Sequence, residues 1–207
     1  MSMEVKNSVK PIDYLDSMII LEKRVEDVIL GEKGEFLWIL EHKHVYTAGT
    51  SSNDKDVINK SIKIIKTKRG GKHTYHGPGQ KVIYFVLNLN KRKKDIRKLI
   101  SMIERCIISV LKKYGVESFA DRKNIGIWVT RNGKIRKIAA IGIRVKRWIA
   151  YHGFSININN NLTQYLKIVP CGLDNQKITS VYNENGVMIK NIEKKIIDIF
   201  IKNINKI

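Results

Sequence analysis

The chain has 207 residues, 43% of them hydrophobic, which suffices for one α/β domain with a sizeable core. No run of roughly eighteen apolar residues occurs and Met1 to Lys10 carries no apolar signal segment, so a cytoplasmic protein without a membrane span is expected. The excess of 39 Lys and Arg over 19 Asp and Glu gives a formal net charge of +20, which favours acidic partners without selecting one, because the lysines are scattered from Lys6 to Lys206. Two cysteines, Cys106 and Cys171, are too few for a disulfide framework or a thiolate zinc centre.

Leu15, Met18, Leu21, Val25 and Val28 recur at spacings of three and four, which predicts an amphipathic helix over 13–30 that Gly31 ends. Phe36 to Leu40 reads as a strand running into the polar stretch Glu41 to Gly49, and Thr50 to Asn59 as a polar loop. Ile62 to Ile65 and Val82 to Leu87 read as buried strands. The stretch between them, Arg69-Gly70-Gly71-Lys72-His73-Thr74-Tyr75-His76-Gly77-Pro78-Gly79-Gln80, is expected to be a loop on a rigid scaffold. Its four glycines let the backbone approach a ligand, while its Arg, His, Thr, Tyr and Gln side chains supply cationic, titratable and hydroxyl groups.

Leu99, Ile103, Ile107, Val110 and Tyr114 mark one face of a long helix stopped by Gly115. Cys106 falls on that face and reads as a core residue. Arg131-Asn132-Gly133 predicts a hairpin between 125–130 and 134–143, because Asn-Gly favours a tight turn. Trp148 to Ile158 reads as a strand whose internal Gly153 signals a bulge or a close backbone approach. Ile189, Ile192, Ile196, Ile199 and Phe200 predict a closing helix. Hairpins alternating with helices predict an α/β fold, a mixed sheet flanked by helices, as a single domain over 1–207.

Cys171 lies between Pro170 and Gly172, in a turn where a thiol can act as nucleophile. An ordinary thiol is only a few per cent ionised at neutral pH, so it needs a neighbouring cation. Lys137 stands out among the lysines because it opens the apolar run Ile138-Ala139-Ala140-Ile141-Gly142-Ile143, where small residues leave room for a ligand. Glycine-lined backbone and His76 are candidate donors to a developing oxyanion. These parts suit acyl transfer.

With these residues in hand, the chain resembles the lipoate-protein octanoyltransferases. Arg69 to Gln80 reproduces that family's Arg-Gly-Gly-x-x-Thr-Tyr-His-Gly-Pro-Gly-Gln motif unbroken, and further blocks agree in order: Glu41-His42 with Val45 to Gly49, Lys137 to Arg144, His152-Gly153, and Pro170-Cys171-Gly172. Lys68 departs from the acid often found before the Arg-Gly-Gly.

The resemblance implies the fold of the biotin and lipoate protein ligases and transfer of an octanoyl group from octanoyl-acyl carrier protein. The acceptor would be a lysine of a lipoyl domain of the 2-oxoacid dehydrogenase complexes, or of the glycine-cleavage H protein. It implies Cys171 as the residue that holds the acyl thioester and Lys137 as the residue that lowers its pKa and handles protons. Substrate contacts are implied for Arg69, Gly70, Gly71, Lys72, His73, Thr74, Tyr75 and His76, for Ala140, Ile141 and Gly142, and for Gly153, Phe154 and Ser155. No cofactor or metal is implied, nor a nucleic-acid or membrane partner, and a monomer is expected.

Three rivals compete. An ATP-dependent lipoate or biotin ligase of the same fold would need a phosphate-cradling glycine loop and no nucleophilic cysteine. A zinc hydrolase built from His42, His44, His73, His76 and Cys171 lacks any His-Glu-x-x-His or Cys-x-x-Cys spacing. A basic nucleic-acid-binding module would explain the charge, but lacks a helix-turn-helix or RNA-binding motif.

Overall fold

A computed structural model describes residues 3–169 and 178–207. Asp13 caps the first helix, α1 (Tyr14–Leu30), by accepting from the Leu15 N–H, and Gly31 ends it at φ 78°, where a left-handed backbone favours glycine. The second helix, α2 (Ile96–Lys112), is capped by Asp95. A short helix α3 (Val181–Asn185), absent from the sequence expectation, precedes the last one, α4 (Ile192–Ile204).

Seven strands make the main sheet. β1 (Glu4–Asn7) runs parallel to β2 (Phe36–Leu40); β2 pairs antiparallel with β6 (Gln80–Asn88), and β6 with β10 (Ile149–Asn157). β10 then pairs with β9 (Lys134–Lys146), β9 with β8 (Ile127–Arg131), and β8 with the two-residue β7 (Phe119–Ala120). Asn132 and Gly133, both at positive φ, make the predicted turn between β8 and β9. A second sheet holds β3 (Val45–Ala48) between β4 (Ile64–Lys66), which is parallel to it, and β5 (His73–His76), which is antiparallel.

The period of two along β2 and β6 builds both layers of the core. Phe36, Trp38 and Leu40 with Val82, Tyr84 and Val86 pack under Leu21, Val25 and Val28 of α1. The alternate residues Leu37, Ile39, Ile83, Phe85 and Leu87 pack with the apolar stripes of α2 and α4. Burying each such side chain contributes roughly 1.5–3 kcal/mol before entropy is subtracted. Cys106 lies in this core at 3% exposure, and burial pushes its thiol pKa up to about 11, as expected of a packing residue and not a nucleophile.

One expectation fails. Arg69 to Gln80 is not wholly loop, because His73–His76 forms β5, paired residue for residue with Val45–Ala48. Thr74 and Tyr75 fit a pleated surface, but polar side chains on both faces hide the alternation that would announce a strand. β1 was unexpected for a similar reason, since Glu-Val-Lys-Asn carries no apolar run.

Candidate functional site

A cavity of about 390 Å³ opens between the two sheets, within the range of small-molecule sites. One wall is the glycine stretch. Arg69 donates from Nη1 to the Gly70 carbonyl and from Nη2 to the Thr47 hydroxyl and to the carbonyls of Thr47 and Lys72, folding the loop around its guanidinium. The N–H groups of Gly49, Thr50 and Ser51 bond the carbonyls of Lys72, Arg69 and Gly71. Gly49 must be glycine, since a Cβ there would lie 2.3 Å from the Gly71 oxygen and 2.7 Å from Arg69 Nη1. The loop's other side rests on β9 through Gly70 N–H to the Ile143 carbonyl.

β9 and β10 form the opposite wall. Ala140, Ile141 and Gly142 face Gly153, Phe154 and Ser155 across it, and a Cβ on Gly142 would come within 3.2 Å of the Gly70 oxygen. Gly153 is the close approach expected from sequence: its Cβ would lie 1.9 Å from the Ile83 carbonyl. His152 beside it takes φ 66°, rare inside a strand. Its ring stacks on Tyr151 at 4.9 Å and meets Tyr84 edge-on at 6.4 Å, putting it on the α1 side of the sheet.

Of the residues expected to touch substrate, Arg69, Gly70, Gly71, Lys72, Thr74 and His76 line the cavity, as do all six on β9 and β10. Two do not. The alternation of β5 turns His73 and Tyr75 away. Tyr75 is fully buried with Tyr46 and Tyr165, its hydroxyl 2.5 Å from His44 Nδ1, and burial raises its pKa to about 12. His73 is buried with Nδ1 unpartnered among the described residues, and burial lowers its pKa.

Lys137 reaches the cavity from β9 and is only 6% exposed. A bulge in the β8/β9 register sets Trp128 beside it, with Nζ 5.1 Å from the ring centroid. Gly126, at φ 137°, leaves the space for the side chain, as a Cβ there would sit 2.4 Å from Lys137 Cε. The chain comes back to this strand at Ile178, which bridges Lys137, and the Thr179 N–H donates to the Lys137 carbonyl at 2.9 Å. Cys171 lies outside the described residues.

Sequence reasoning missed the floor. Tyr14 and Tyr84 line it beside His76 and His152. The His42 Nδ1–H donates to the Ile12 carbonyl at 3.0 Å, so its Nε2 accepts from the Tyr84 hydroxyl at 2.8 Å. Burial pushes His42 down to about 4, and burial with the neighbouring His42 takes His76 to about 3. His152 is likewise held at about 3 by burial and by the Arg69 and Arg144 charges. The imidazoles are therefore neutral. Lys123 and Asn124 at the mouth gave no signal beyond polarity, and Tyr14, directly after the cap residue Asp13, looks like ordinary core in the sequence.

The sequence profile of the lipoyl protein ligase A/B catalytic domain matches residues 13–201. Octanoyltransferase of Rickettsia bellii is 45% identical over 198 residues, covering 93% of this chain and 94% of the relative. That of Wolbachia pipientis is 43% identical over 179 residues, 86% of this chain and 87% of the relative. In fold, the chain is similar to a bipartite lipoate protein ligase from Thermoplasma acidophilum, with TM-score 0.74 at 13% identity over 99% of this chain and 85% of that one. The fold is that of the lipoate protein ligases, and the chain belongs to the lipoyl protein ligase A/B family, among its octanoyltransferases, which are acyltransferases.

Proposed function

We propose that this protein moves an octanoyl group from octanoyl-acyl carrier protein to a lysine of lipoyl domains or of the glycine-cleavage H protein, through a thioester on Cys171. The observation that carries the reading is the buried Lys137, held against the cavity by the strand to which Ile178 and Thr179 return. An ammonium so placed, with Trp128 as its neighbour and no carboxylate paired to it among the described residues, suits the stabilisation of a thiolate.

In the first half-reaction the Cys171 thiolate attacks the octanoyl carbonyl carbon. A C–S bond forms, the donor's C–S bond breaks, and the pantetheine thiolate leaves with a proton from the Lys137 ammonium, which solvent then replaces. In the second, the acceptor amine attacks the new thioester, a C–N bond forms and the cysteine returns as thiolate, while the amine's surplus proton passes through Lys137 to solvent. The donor is already an activated thioester, so no nucleotide is required. Arg69 to Lys72 with Thr74, and the β9 and β10 residues Ala140 to Gly142 and Gly153 to Ser155, would hold the acyl chain and pantetheine arm, and the net charge of +20 suits an acidic carrier protein.

The test is transfer from octanoyl-acyl carrier protein to a purified lipoyl domain in nucleotide-free buffer, read as the mass of the acceptor. Octanoylation without ATP is expected. Transfer that begins only when ATP and free octanoate are supplied would identify a ligase instead.

A further inference from the structure

We propose that Gln80, Asn157 and the Thr179 backbone are positioning groups that lock His76 in its Nδ1–H tautomer and offer the bare Nε2 to the cavity as a hydrogen-bond acceptor. The direction of the chain is fixed from its far end. Thr179 spends its N–H on the Lys137 carbonyl, and its own carbonyl can only accept, so Asn157 must turn Nδ2 toward it, at 2.9 Å. Asn157 Oδ1 then faces Gln80 and requires the Gln80 Nε2, 2.8 Å away. Gln80 is left with Oε1 toward His76 Nδ1 at 2.6 Å, and an amide oxygen cannot donate, so the proton is on Nδ1. Flipping either amide would set two oxygens or two N–H groups face to face in a buried site, where Gln80 is fully enclosed and Asn157 is 6% exposed.

The rest of the ring's surroundings leave Nε2 for the cavity. Tyr14 stacks nearly parallel to the ring at 6.4 Å and His42 is tilted against it at 5.7 Å. No hydrogen bond to Nε2 is made by a described residue. The groups that act electrostatically on His76 are His42 and Arg69, which both oppose a second proton, and Gln80. This reverses the expectation that His76 donates to an oxyanion: a neutral imidazole with its hydrogen on Nδ1 cannot stabilise a carbonyl oxygen from Nε2. It can accept from an N–H, such as an amide of the pantetheine arm or the attacking amine, in the reaction proposed above, on which its catalytic meaning rests. Because the hydrogen-bond chain starts at the Lys137 carbonyl, it also ties the His76 wall to the strand that carries Lys137.

The experiment is the imidazole ¹⁵N spectrum of the full-length labelled protein, with His76→Gln to assign the signals and no substrate added. A wild-type His76 that is protonated on Nδ1 and bare on Nε2 is expected. Asn157→Ala, at a residue that makes no hydrogen bond to His76, removes the side-chain acceptor that fixes Gln80 Nε2. The Tyr165 hydroxyl, also 2.8 Å from that nitrogen, can donate to a turned amide oxygen, so the second tautomer comes in and octanoyl transfer falls roughly tenfold, the worth of one well-placed hydrogen bond. A wild-type His76 protonated on Nε2 overturns the proposal even if the variant does not fold. So does an Asn157→Ala protein with mixed tautomers and undiminished transfer. The spectrum needs no reaction, so a wild-type protein with the expected tautomer and no transfer counts against the octanoyl reaction alone.

Discussion

At position 153 the sheet admits nothing larger than a hydrogen atom, and at position 137 it admits a lysine because Gly126 gives way. Both were legible in the sequence: a glycine inside an apolar strand and a lysine opening one are each anomalous against the pattern around them. Tyr14 and Tyr84 were not, because an aromatic at the start of an amphipathic helix or in a buried strand looks like ordinary core. His152 could be picked out as a polar residue before a glycine, but its positive φ, beside the close approach of Gly153 to Ile83, leaves no mark in the sequence. Residue 137 carries the sharpest prediction. Lys137→Ala should lower octanoyl transfer by about 10²-fold and raise by about one unit the pH at which Cys171 is alkylated. An alkylation profile identical to wild type would remove Lys137 from the activation of the thiol.

At the scale of elements, β3 and the glycine loop act together. The three N–H groups of 49–51 and the Arg69 guanidinium hold 69–72 in place, and β5 then carries Thr74 and His76 to the cavity while turning His73 and Tyr75 away. The sequence showed that this stretch mattered but not that a third of it, His73–His76, is a strand of its own. Strand pairing is a long-range fact, and here polar residues occupy both faces, so the period of two has no apolar face to reveal it. Gly49→Ala tests the coupling. Its Cβ would collide with the Gly71 oxygen and displace the loop, so transfer should fall about 10²-fold from misplaced contacts, with the melting temperature lowered by only about 2–4 °C for each kcal/mol lost. An alanine variant that keeps wild-type transfer would show that the loop's position is immaterial.

The whole molecule encloses three neutral imidazoles that would each titrate near pH 6.5 in an unfolded chain. His42 is held at about 4, and His76 and His152 at about 3, all mainly by burial, with His73 shifted the same way. Between those values and 6.5 the unfolded chain binds more protons than the folded one, so stability rises with pH. It is fully present above about 6.5 and is lost as the pH falls toward 4, by an amount on the order of 5 kcal/mol between pH 7 and pH 5. Urea midpoints across that range should drop steeply, and a flat profile would mean that the histidines are not buried as described. The layered α/β architecture behind this burial was readable from helical and strand periodicity, since α1, α2, β6 and the β8–β9 turn all announce themselves. The strand order was not, because pairing partners far apart in sequence leave no local mark.

The proposed reaction requires a covalent octanoyl-cysteine that forms without nucleotide. Incubating the protein with octanoyl-acyl carrier protein alone and weighing it intact tests this most directly. One octanoyl group should be added to the wild-type chain, mapped to the peptide containing Cys171, and no stable adduct should form on Cys171→Ser. A wild-type protein that transfers octanoate yet never carries it, or an adduct that survives the serine substitution, would rule out Cys171 as the acyl carrier.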